Sequence, residues 1–410
     1  MKKITKIALF LMSSLITTQA LSAEKCHLKV WEDDKKSMGT SQAVADFEKD
    51  FDCTVTVEEV NFLTQTDKMR LEGPTGNGPD IFLIPADRMG SGVMQGLITP
   101  IKFMQEEQDR YIRSAVSAFS QNGEIYAVPK VVETLVMFYN KDYLKHSLLT
   151  FEDYFDYSKK LVSENNGKYG LLAKWDSFYY AYGAIQPFGA YVFGSDPDGN
   201  IDANDVGLSN DGAVEGVEFI KSFFASGCFP PDLRGKNGIA NVDRLFTEGN
   251  AAAVINGPWA LEPYSNSKIN FGVAPLPILP NGKPMSSFLG VKGYVISAWA
   301  KNHDLAEEFL HYINQPKYAK IRYQETREIP PVKAVMADPV ITNDEFANAI
   351  AVQASRAVPM PSVPEMSEVW GPIDAAFDSI ITGRQSVKDG LKTATEHINY
   401  QIEAFRAGMQ

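Results

Sequence analysis

The reactive side chains of this sequence are carboxylates, a few basic groups and aromatic rings. One carboxylate, Glu133, sits at the centre of the β-branched and aromatic run Tyr126-Ala-Val-Pro-Lys-Val-Val-Glu-Thr-Leu-Val-Met-Phe-Tyr-Asn-Lys-Asp142. Such a run predicts a strand buried on both faces, where a charge without a partner is costly. Taken alone, the run is better read as an edge strand with Glu133 facing water. Set beside the rest of the chain, it predicts a segment that leaves one lobe, crosses a cleft and enters a second, with Glu133 pointing into the cleft at the hinge. Two further charged groups follow short apolar runs: Asp33-Asp-Lys-Lys36 after Leu28–Trp31, and Asp87-Arg88 after Ile81–Ile84. Each residue taken singly is best read as a solvated loop residue; the set is not so easily dismissed. Glu133 with a second acid such as Asp87 has the make-up for glycoside cleavage and equally for recognising hydroxyl groups. The densest aromatic patch is Trp175-Asp-Ser-Phe-Tyr-Tyr-Ala-Tyr-Gly183. It is balanced between core and a stacking platform.

Other chemistries have no signature. There is no Gly-x-Ser-x-Gly, no His-Glu-x-x-His and no glycine loop with lysine for phosphate. The five histidines are scattered without metal-ligand spacing. Asp196–Asp202 lacks the twelfth-position acid of a calcium loop and is read as a surface turn. No metal and no cofactor are expected.

The elements that must place these residues follow from the pattern. His27–Trp31, Cys53–Glu59 and Asp80–Ile84 read as strands, with helices at Ala43–Lys49 and Gln65–Glu72 between them. This alternation predicts a parallel sheet with right-handed crossovers. Ligands of such sheets sit beyond the carboxyl ends of the strands, which places Asp33, Asp34, Lys35, Lys36, Asp87 and Arg88 on one rim. Farther on, Ala251–Ile255 reads as a buried strand and Pro258 as the first residue of a helix, with Trp259 as core or ligand wall. Phe271–Ile278 and Ser287–Ala298 read as strands around a hairpin-like Pro280–Pro284, a second cleft crossing. Trp370 and Asp374 are spaced to share a helix face, and an amphipathic helix closes the chain through Val387–Phe405.

Met1–Lys6 is basic, Ile7–Ile16 is apolar, and small residues surround Ala23, the pattern of a secretory signal peptide. Cys26 lies slightly too far on for a lipid-attachment cysteine, so a soluble exported product is expected. Removing residues 1–23 moves the formal charge from −12 to −15, which argues against a nucleic-acid partner. The mature length suits two domains. Of three cysteines, Cys26 and Cys53 each precede a strand. If those strands are parallel neighbours the pair can form a disulfide; otherwise both are buried thiols. Cys228 is read as a free, packed thiol.

An ordered set of short motifs then becomes specific. Gly78-Pro-Asp-Ile81 with Asp87-Arg88, Glu124-Ile-Tyr-Ala-Val-Pro129 with Glu133 and Tyr139-Asn-Lys-Asp142, and Ile255-Asn-Gly-Pro-Trp259 are followed by Leu305–Leu310, Pro361-Ser-Val-Pro-Glu-Met366 with Trp370, and Ile381-Thr-Gly-Arg-Gln385. In order and spacing the set resembles the maltose/maltodextrin-binding proteins among the extracellular solute-binding proteins, over nearly the whole mature chain. The resemblance implies an α/β fold of two Rossmann-like lobes joined by crossing hinge strands, the type II periplasmic binding protein architecture. It implies an N-lobe of residues 24–131 plus 289–342 and a C-lobe of 132–288 plus 343–410. It also implies a monomeric, non-enzymatic periplasmic carrier of maltodextrins that serves an inner-membrane ABC permease, with a chemoreceptor as a further partner. Carried over by position, Asp33, Lys36, Asp87, Arg88 and Glu133 would bond sugar hydroxyls; Tyr179, Trp259 and Trp370 would stack on pyranose faces, with Met360 on the same wall.

Four positions depart from the family pattern. Ile84 replaces a tryptophan, Ser177 an acid, Asp374 an arginine and Lys35 an aspartate. They put a cyclic or longer maltodextrin ahead of maltose. The competing readings are a carrier of another oligosaccharide such as a galacto-oligosaccharide, a carrier of a cation (a polyamine, or iron through Tyr179-Tyr180), and a secreted glycoside hydrolase.

Overall fold

The structure is a computed structural model that describes residues 26–164, 167–195 and 201–408. The expected signal peptide and most of the Asp196–Asp202 turn lie outside the described residues. The chain begins with β1 (His27–Glu32), α1 (Ser41–Phe51), β2 (Thr54–Glu59), α2 (Phe62–Glu72), β3 (Ile81–Pro85) and α3 (Ala86–Met94). As the alternation predicts, β1 lies parallel to both β2 and β3. The α2 helix starts three residues earlier than the periodicity indicated. Asn61 accepts a bond from Leu63 N, and Asp33 Oδ1 accepts one from Phe62 N at 3.1 Å. Both satisfy helix-start donors.

The Tyr126–Asp142 run is not one strand. It divides into β4 (Val128–Glu133) and β5 (Val136–Asn140). A smaller sheet gathers β5, β6 (Tyr169–Leu172), β7 (Ala251–Asn256) and β8 (Phe271–Ala274) in the order β8-β5-β7-β6. The larger sheet takes β4 and β9 (Phe288–Ser297), with β9 antiparallel to β3 on one side and to β4 on the other. Two residues, Thr134 and Leu135, therefore carry the chain from one sheet to the other. The two strands flanking Pro280–Pro284 are not a hairpin pair: β8 pairs with β5, while β9 joins the larger sheet. Their turn closes only the local bridge Ile278 to Pro284. The crossings are tied together, because Thr134 Oγ1 and Ser287 Oγ share a hydrogen bond. Helix α4 (Phe178–Ile185) packs so closely on this second crossing that a Cβ at Gly183 would stand 2.2 Å from Ser286 O.

The sequence reading passes over α5 (Pro316–Thr326), which follows a helix at His303–Ile313. Its end and the next residues return to the junction. The short strand β10 (Val358–Pro359) pairs with the start of β9. It leads into α6 (Ser367–Ile381), which carries Trp370 and is buried against the closing helix α7 (Val387–Ala407).

Cys26 and Cys53 are joined by a disulfide with a Cα separation of 4.8 Å. Cys228 is a free, buried thiol. Because the bridge closes a loop of sequence separation 27, the chain-entropy model assigns it about 3–4 kcal/mol. Cys53→Ser should therefore lower the unfolding free energy by about that amount in urea titrations, and reductant should do the same to the wild type.

Candidate functional site

Between the two sheets lies a cleft of about 1050 Å³, at the upper end of the range for small-molecule sites. It is lined by Asp33, Lys36, Asp87, Arg88, Glu133, Tyr179, Trp259, Met360 and Trp370 together. Lys35 joins them on the rim, but Asp34 is not among the lining residues; its carboxylate accepts from Asn61 Nδ2.

Each of these residues has an identifiable holder. Asp33 follows directly on β1 and is mostly buried, with Oδ1 accepting from Asp34 N and Phe62 N. Lys36 donates to Thr326 O at 3.0 Å, tying the β1 loop to the end of α5. Asp87 stands in the first turn of α3, where the helix N-terminus favours an anion. Burial nevertheless pushes its carboxyl above the ordinary range, with Arg88 pulling it back. Arg88 Nη1 donates to Leu63 O at 2.6 Å.

The aromatic wall is built by the turn after β7, by α4 and by α6. Trp259 is 44% exposed, with its indole lying over Gly257, where a Cβ would meet the ring at 2.2 Å. Tyr179 sits 6.1 Å from Trp259 and 6.2 Å from Phe288, ring centre to centre. Trp370 meets Phe178 and Phe288 edge-on. The Trp175–Gly183 patch thus divides: Trp175, Phe178 and Tyr182 are core, while Tyr179 faces the cleft. Asp374 does not share the wall with Trp370, because it turns inward and accepts from Phe178 N at 2.6 Å. Ile84 is fully buried, so the β3 end offers no ring to the cleft.

Glu133 is half-buried, and the reason it is tolerated is Lys292, a residue the sequence reading did not single out. Lys292 Nζ lies 2.8 Å from Glu133 Oε1 and 3.7 Å from Asp33 Oδ2. Burial pulls the Lys292 ammonium down, but Glu133, Glu328 and Asp33 outweigh it and raise its pKa. Beneath lies a second bridge. Lys130, fully buried, binds Glu32 Oε1 at 2.7 Å and Glu328 Oε2 at 2.9 Å, and Tyr294 donates to Glu32. Burial alone would raise the Glu328 carboxyl; Lys130 and Lys292 overcome this and hold it well below the usual range. The signal available in the sequence was a lysine inside each crossing strand, Lys130 and Lys292, and acids at Glu325 and Glu328 before Pro330-Pro331. Six acids and five bases line the cleft. It is thus close to neutral although the whole chain carries −12.

The fold and the cleft define a two-lobed binding protein rather than an enzyme. The family model for bacterial extracellular solute-binding proteins matches residues 42–349, and the chain belongs to that family. It is 41% identical to the galactooligosaccharide-binding protein of Bacillus subtilis (strain 168), over 94% of this chain and 92% of that one. It is 34% identical to the maltodextrin-binding protein MdxE of the same organism, over 87% and 85%. Among solved structures, a cyclo/maltodextrin-binding protein complexed with maltotetraose superposes with a TM-score of 0.86 at 36% identity, over 92% of this chain and 97% of that one.

The low Glu328 pKa has a stability consequence. A depressed carboxyl contributes stability that is complete above its unfolded value, near 4.5, and is lost as pH falls toward the folded value. Glu328→Gln should therefore reduce unfolding free energy at pH 7, and it should shrink the loss that the wild type suffers between pH 5 and pH 3, both read by urea titration. An unchanged acid slope in the variant would contradict the network's strength.

Proposed function

We propose that the protein is the substrate-binding component of an ABC transporter, taking a neutral oligosaccharide of the maltodextrin type. The observation that carries this reading is the composition of the cleft: aromatic rings on one wall and mutually neutralised ionic groups on the other. A pyranose presents an apolar face and a ring of hydroxyls, which match rings and charged acceptors respectively. Charge-assisted hydrogen bonds are about twice as strong as neutral ones. Trp259, Trp370 and Tyr179 would stack on sugar faces, with Met360 beside them. Asp87, Arg88, Lys36, Asp33 and Glu133 would bond hydroxyls. The solved relative that superposes at TM-score 0.86 holds maltotetraose, which supports a ligand longer than a disaccharide.

A galacto-oligosaccharide is the second reading, and one observation favours it: the relative of that name is 41% identical over nearly the full length. The near-neutral cleft speaks against a polyamine. Iron binding through Tyr179-Tyr180 is disfavoured because burial pushes both phenols up, away from the phenolate form.

The lobes are assigned as residues 24–131 plus 289–342 and 132–288 plus 343–410, hinged near Thr134 and Ser287, and would close on the sugar as a hinge. The carrier would work as a monomer in the periplasm, with permease subunits as its partners and a chemoreceptor as a further candidate. Cys26 is engaged in a disulfide, which agrees with an exported form that this cysteine does not anchor.

A thermal-shift panel of maltose, maltotetraose, maltoheptaose, cyclodextrins and galacto-oligosaccharides tests the reading. A rise in Tm confined to one oligosaccharide series is expected; no rise with any of them would discard it. In calorimetric titration of the winning sugar, Trp259→Ala and Trp370→Ala should each weaken binding by about 2 kcal/mol, the scale of a binding hot spot. Gly257→Ala should weaken it too, since its methyl must displace the Trp259 ring.

A further inference from the structure

Lys292 is placed by a defect in the ladder between β9 and β4. Lys292 stands opposite Val131 and Gly293 opposite Pro129, so Lys130 has no ladder partner. Bulges of this kind redirect side chains and recur beside functional sites. The Lys292 ammonium is engaged by protein groups: Glu133 at 2.8 Å, Asp33 at 3.7 Å, and the face of Phe62, whose ring centre is 4.2 Å away. Its side chain is 8% exposed against 23% for Glu133. The carboxylate, not the cation, is thus presented to the cleft.

Resting on the sugar reading above, we propose that Lys292 is the positioning residue of the cleft, fixing the orientation of Glu133 so that this carboxylate can accept a ligand hydroxyl. An ammonium held at this distance orders one carboxylate oxygen and leaves the other for the ligand. Without it, Glu133, Asp33 and Glu328 would face one another with no shared cation among them, and Glu133 would be free to turn away from the ligand. The titratable groups that face Lys292 are Asp33 from the loop after β1, Glu133 from β4 and Glu328 beyond α5. Lys130 pairs with Glu328 from β4, Lys36 acts on Glu328 from the β1 loop, and the Tyr179 phenol of α4 lies toward Glu133.

Lys292→Met keeps the alkyl stem and removes the charge. By calorimetry with the oligosaccharide that stabilises the wild type, its affinity should fall about tenfold, and Lys292→Arg should restore affinity to within about threefold of the wild type. In a Glu133→Gln background, Lys292→Met should have an effect below threefold. A purely structural lysine would give the same loss in both backgrounds. If Lys292→Met does not fold, Lys292→Gln and the Glu133→Gln/Lys292→Met pair carry the same readouts. Wild-type affinity in Lys292→Met, while the wild type binds sugar normally, would overturn the assignment of Lys292 alone. A wild type that binds no member of the panel would overturn the sugar reading and this assignment with it.

Discussion

Two lysines inside the crossing strands hold this molecule's functional half together. Lys130 bridges Glu32 and Glu328 in burial, and Lys292 bridges Glu133 and Asp33 at the cleft surface. Removing one member of a buried pair typically destabilises by about 3–5 kcal/mol, because the other charge remains behind. Each lysine stands between two acids, and the register shift that leaves Lys130 out of the ladder lies at the same point of the strand pair. Backbone irregularity, buried charge and cleft chemistry are one constraint seen at three scales.

The same constraint explains how an acidic protein can offer a nearly neutral cleft. Acceptors that are already paired hold their charge without drawing in counter-ions, so they suit a guest that has hydroxyls and no charge. The opposite wall requires no charge, since Trp259, Tyr179 and Trp370 contribute area and flat faces. The chain passes from the larger sheet to the smaller at Thr134–Leu135 and returns before β9, and these two crossings are bonded to one another through Thr134 and Ser287. Family membership fixes the type of work, which is binding and release rather than bond cleavage.

Much of this was legible in the sequence because local patterns dictated it. The β1–α1–β2–α2–β3 order followed from periodicity, and the Cys26–Cys53 pairing from two cysteines at the same end of neighbouring parallel strands. Convergence of the aromatic and charged residues was legible only through the ordered motifs, since Asp33 and Trp370 are far apart in the chain. Other features depended on tertiary context. The Tyr126–Asp142 run was read as a crossing with Glu133 at its hinge, but not as two strands, because both halves are equally apolar and only their partner strands differ. Helix spacing put Asp374 on the face of Trp370, but it could not tell that the carboxylate would turn inward to accept from Phe178 N. Lys292 was passed over because a lysine in a strand reads as an edge residue until its two acids are seen beside it.

The most direct measurement is a crystal structure of the protein grown with maltotetraose and, separately, with a galactotetraose. The two-walled cleft predicts that one of these sugars lies between the lobes, with a ring on Trp259 and hydroxyls on Glu133 and Asp87, and with Lys292 still bound to Glu133. A sugar bound outside the cleft, or Glu133 turned away to another partner, would contradict it.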